Sequence, residues 1–79
     1  MIHDLKILPK YFDAVESGIK PFEVRKNDRP FAVGDVLLLY EWDGKQYTGR
    51  TTRKLISYIL DVPEYCADGY VILGLKEAY

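Results

Sequence analysis

The chain has 79 residues, enough for one domain with one core, and nearly half of them are apolar, with seven Tyr, three Phe and one Trp, which excludes intrinsic disorder. Cys66 and His3 stand alone, so neither a disulfide nor a metal centre is expected, and no cofactor motif is visible. The longest apolar run, Val36 to Tyr40, falls far short of the roughly 20 residues that cross a bilayer, so no membrane association is expected and a reducing cytoplasm is the expected home.

Taken in chain order, Ile2 to Leu8 alternates through Leu5 and Ile7, which predicts a half-buried strand. Pro9 stops it and suits the first turn of a helix, and Tyr11, Phe12 and Val15 follow at helical spacing. A short helix from Pro9 to Ser17 is therefore predicted, closed by Gly18, with Tyr11 and Phe12 packing into the core. Lys20 to Lys26 predicts a second strand with Phe22 and Val24 on one face and Glu23 and Arg25 on the other. Asn27-Asp28-Arg29-Pro30 breaks it, and Gly34-Asp35 turns the chain into Val36 to Trp42. That run is continuously apolar, so a central strand covered on both faces is expected.

Asp43-Gly44 predicts a two-residue type I′ hairpin. A long strand from Lys45 to Leu60 follows, with Gly49 marking a bulge or bend, then a polar loop from Asp61 to Asp68 and a last strand from Tyr70 to Leu75. Five strands and one early helix predict an α+β domain spanning residues 1–79, built as a small, partly closed β-barrel.

The formal charge of −1 conceals an asymmetry. Lys20 to Lys54 holds eight basic residues against five acidic ones, whereas the remainder is net acidic. A basic face on a neutral protein suits a polyanionic partner, although solvated strand faces produce the same count. Glu23 and Arg25, two apart on a strand, share one environment, where the carboxylate can brace the guanidinium while the latter holds an anion.

The succession from Ser17 to Lys26, containing Gly18-Ile19-Lys20 and Phe22-Glu23-Val24-Arg25, is followed by Phe31-x-Val33-Gly34-Asp35-Val36-Leu37. Together these resemble the signature of ASCH domains within the PUA-like superfamily. With Glu41-Trp42-Asp43, Tyr58-Ile59-Leu60-Asp61 and Gly69 to Gly74 added, the pattern resembles a compact bacterial and phage family of unknown function in that superfamily. The resemblance runs from about His3 to Leu75. It implies a PUA-like barrel whose cleft is lined by the Gly-x-Lys and Glu-x-Arg segment, and an association with RNA or modified nucleobases.

Some relatives in that superfamily are small amidohydrolases in which the Lys matching Lys20 acts with a Thr and a Glu. Here Glu23 stands where the Thr is expected, which shifts the expectation from catalysis to binding. Lys20, Glu23, Arg25, Lys26 and Arg29 are then the expected RNA or nucleotide contacts, with Arg50, Arg53 and Lys54 extending the track and Tyr40, Trp42 and Tyr47 offering stacking surfaces or capping the core. The alternatives are a nucleoside hydrolase using Lys20 and Glu23, and a module for a protein partner.

Overall fold

The computed structural model describes residues 1–78. In chain order it contains β1 (Ile2–Ile7), α1 (Pro9–Glu16), β2 (Phe22–Lys26), β3 (Val36–Trp42), β4 (Tyr47–Leu60) and β5 (Tyr70–Glu77). Among the described residues no helix is long and apolar enough to cross a membrane. The strands form one sheet in the order β1-β3-β4-β5-β2, curled into a half-barrel. β1 runs parallel to β3, and the other neighbours are antiparallel.

Strand alternation sorts the sheet into two faces. His3, Ile7, Leu37, Leu39, Glu41, Thr52, Lys54, Ile56, Val71, Leu73 and Leu75 are buried on the concave side, and α1 lies across that side against β3 and β4. Phe12 and Val15 of the helix complete the core. Pro9 occupies the start of α1, where a missing N–H costs nothing, and Tyr11 N and Phe12 N both donate to Leu8 O. Gly18, with φ of 86°, turns the chain out of the helix, and Lys20 N donates back to Ala14 O at 2.9 Å. This last bond fixes where Lys20 emerges.

The expected elements are present, with ends shifted by one or two residues in β1, α1 and β5, and Tyr11 is exposed at the cleft rather than packed in the core with Phe12. The apolar run of β3 is covered by α1 on its inner face alone, and its outer residues Val36, Leu38, Tyr40 and Trp42 are half-buried. The reason is that, among the described residues, no second layer packs outside the sheet. Asp43 and Gly44 do not form a two-residue turn. The loop runs from Asp43 to Gln46, because the Asp43 carboxylate accepts from Lys45 N and Gln46 N at 2.8 and 2.9 Å and closes a wider turn. β4 therefore starts at Tyr47, not Lys45, and β2 starts at Phe22, not Lys20.

Gly49 does mark a bulge: Tyr40 pairs with Thr51 but Trp42 with Tyr47, so β4 carries extra residues there, and Gly49 has φ of 95°. A second register shift lies between Ile56 and Tyr58. Both increase the curl of the sheet.

The two edge strands of the sheet are β1 and β2. Curling brings these edges within side-chain reach, since the Arg25 guanidinium on β2 donates to Lys6 O on β1. The half-barrel thus has a seam, and the candidate site lies in it.

Candidate functional site

Glu23 is the floor of the seam cleft. Its register partner is Leu73, which is fully buried, so the carboxylate is carried inward and is 4% exposed. A buried carboxylate needs charged donors, and the sequence supplies two. Lys20 Nζ lies 2.8 Å from Oε1, and Arg25 reaches Oε2 through Nε and Nη2, each at 2.9 Å. The second bond of Arg25 Nη2, to Lys6 O, ties the cluster to the opposite edge. Lys20 also donates to Phe22 O at 3.0 Å, and its ammonium sits 5.1 Å from the Tyr11 ring centroid and 4.9 Å from that of Phe22.

The cleft above this floor has a volume of about 300 Å³. Lys20, Glu23, Val24 and Arg25 form one wall, and Lys6, Ile7, Leu8 and Tyr11 form the other. Donor accounting defines its chemistry. An ammonium has three donors, and two of Lys20's are committed. A guanidinium has five, and the Nη1 pair of Arg25 makes no bond within the described residues. The cleft therefore offers N–H donors and net positive charge, two cations against one carboxylate, beside the apolar surface of Ile7, Leu8 and Tyr11. Such a lining is chemically suited to a flat, acceptor-bearing or anionic group.

On the other side of the seam a broader, more open hollow of about 800 Å³ is lined by Asp4, Leu5, Lys6, Arg25, Arg29, Tyr40 and Tyr47. Tyr47 stands at the centre of an edge-to-face aromatic cluster, 6.1 Å from Tyr40 and 4.9 Å from Trp42 between ring centroids. Tyr40 donates to Asp4 Oδ1, and partial burial followed by this carboxylate pushes its phenol up from the ordinary value of 10.0.

A family profile described as a domain of unknown function (DUF3850) matches residues 2–75. The chain belongs to this family. It is also 42% identical over 72 residues to a protein of Escherichia phage P2 named "Uncharacterized 12.9 kDa protein in GpA 3′ region". That match covers 91% of this chain and 65% of the phage protein. The family match, residues 2–75, contains both walls of the seam cleft.

The residues singled out from sequence do not all meet in this family member. Lys20, Glu23 and Arg25 converge in the cleft, and Arg29 and Tyr40 line the adjoining hollow. Lys26, exposed, borders a shallow depression with Arg25 and Arg29. Trp42 is half-buried and carries the Lys6 ammonium 4.1 Å above its ring, so that face is not open for stacking. Arg50 is engaged elsewhere. It forks onto buried Glu41 at 3.0 and 2.7 Å, reaches Asp13 Oδ1 at 3.0 Å, and lies over the Phe12 ring.

Arg53 projects from the opposite face of β4 from Arg50, because the two are three residues apart on one strand. Lys54 is 3% exposed and bonded to Glu16 O and Glu77. The expected basic track along β4 is therefore broken: alternation sends one cation outward and two inward to structural partners.

Sequence reasoning missed Lys6, Leu8 and Tyr11 as the far wall. No local signal announces them, since it takes the curl of the whole sheet to bring β1 opposite β2.

Proposed function

We propose that this domain binds RNA through the seam cleft, in the manner of a PUA-like domain of the ASCH type, and works in the cytoplasm. The observation that carries the reading is the convergence of Lys20, Glu23 and Arg25 on one open cleft of about 300 Å³, a size within the range of small-ligand sites. The open N–H groups of Arg25 and Lys20 suit the carbonyl edge of a base or a phosphate oxygen. Tyr11, with Ile7 and Leu8, supplies apolar surface for the ring. Glu23 holds the two donors in place, which makes it a positioning residue.

The α+β half-barrel and the resemblance of the Lys20 to Arg25 segment support the same reading. The test is fluorescence anisotropy with a randomised single-stranded RNA pool. Affinity is expected to fall steeply as salt rises, and Arg25→Ala and Lys20→Ala are each expected to weaken binding by about tenfold or more, the size of one to two charge-assisted bonds. Absence of binding to the pool, or a response flat in salt, contradicts the proposal.

One observation bears on a second reading, hydrolysis of a modified nucleoside: Lys20 and Glu23 lie side by side, Nζ 2.8 Å from Oε1, in a cleft where either could reach a bound nucleoside. Incubation with acylated nucleosides decides it. Turnover abolished by Lys20→Ala supports it, and no turnover removes it.

A further inference from the structure

The seam cleft and the outer hollow share two residues, Lys6 and Arg25. Their partition is the bond from the Arg25 guanidinium to Lys6 O, so the cavities lie on either side of one bridging hydrogen bond. Each has different chemistry. The cleft presents hydrogen-bond donors over a buried carboxylate, whereas the hollow presents aromatic rings, with Tyr47 54% exposed. Arg29 lies on the hollow's rim and makes no ion pair among the described residues. Three cations, Lys6, Arg25 and Arg29, face one carboxylate, Asp4, and that carboxylate accepts from Tyr40.

We infer that the hollow is a second base subsite and that the ligand is a single-stranded dinucleotide step, one base held by hydrogen bonds in the seam cleft and its neighbour stacked on Tyr47. This inference rests on the RNA-binding reading of the cleft. The phosphate linking two successive nucleotides would cross the partition, where the Arg25 guanidinium supplies positive charge, while the Lys6 ammonium, held 4.1 Å from the Trp42 ring centroid, adds charge on the hollow's side. Stacking on an exposed aromatic ring is tolerant of base identity, so the hollow adds affinity while the cleft selects. Paired bases cannot be splayed to either side of the bridge, so a duplex is excluded as the ligand.

Chemical-shift titration of the whole protein measures the weak affinities involved, using a 5′-mononucleotide, the matched RNA dinucleotide and a blunt RNA duplex. The dinucleotide is expected to bind about tenfold or more tightly than the mononucleotide. Tyr47→Ala is expected to erase that gain, and Tyr47→Phe to retain it. Lys20→Ala is expected to weaken both ligands. Equal affinity for the two, a gain that survives Tyr47→Ala, or a duplex bound as tightly as the dinucleotide overturns the second subsite while leaving the cleft intact. Failure of every RNA to bind overturns both readings together.

Discussion

Glu23 and Glu41 are both buried carboxylates on the concave face, and each meets an arginine. Glu41 is enclosed: Arg50 forks onto it, Thr48 Oγ1 donates at 2.6 Å, and Asp13 occupies the remaining arm of Arg50. That cluster binds α1 to the start of β4 and leaves little for a ligand. Glu23 instead faces cations whose remaining donors open into the cleft. The Arg50 bonds, followed by that of Thr48, hold the Glu41 carboxyl below its ordinary value of 4.5. His3 and then the Met1 amine hold Asp35 below 3.8.

A carboxyl with a lowered native pKa contributes stability that is complete above its unfolded value and is lost as pH falls through the native one. The melting temperature is thus expected to hold from neutral pH to about 5 and to fall below that. Glu41→Gln is expected to be less stable at pH 7 and to show a shallower acid decline. The decline persists in part through Asp35. Thermal melts across pH check this, and an unchanged acid slope in the variant contradicts it.

At the scale of elements, β4 and its neighbours create the curvature that makes a seam. Gly49 holds φ at 95° with open space where a Cβ would stand, so Gly49→Ala is opposed by backbone strain alone. A loss of about 1–2 kcal/mol is expected in urea denaturation, and no loss would mean that the bulge adjusts freely. Leu39, fully buried under α1, is expected to cost about 2–5 kcal/mol on change to Ala.

These elements also show where sequence reading reached and where it stopped. The Pro9 start, the Gly18 exit and the Gly49 bulge each rest on local backbone chemistry, and each is legible. Strand alternation showed that Glu23 and Arg25 share a face. It could not show that their face is the concave one, because Phe22 and Val24 are the more apolar pair and yet lie outside, 41% and 52% exposed. The sorting is decided by pairing with Leu73 and Val71 of β5, some fifty residues away. Likewise the carboxylate of Asp43, by capturing two backbone N–H groups, overrode the hairpin preference of Asp43-Gly44.

At the scale of the molecule, the five strands curl without pairing end to end, and β1 and β2 remain as edges. An open edge ordinarily invites unwanted pairing. Here Arg25 spans the gap to Lys6 O, and the seam becomes a cleft with charged donors inside and aromatic rings outside. The exposed cations flanking it give a further expectation. Arg29→Ala should weaken RNA binding at all sequences and reduce the slope of log affinity against log salt by about 0.7, the value for one phosphate contact on a single strand. An unchanged slope would remove Arg29 from the interface.

The most direct test of the seam as the binding site is an amide chemical-shift map of the protein titrated with single-stranded RNA. The largest changes are expected along both edges of the seam, at Lys6, Ile7 and Leu8 of the β1 side, Tyr11 of the helix, and Lys20, Glu23 and Arg25 of the β2 side. Changes centred instead on the outer face of β4 and β5, around Arg53 and Tyr58, or no changes at all, would contradict it.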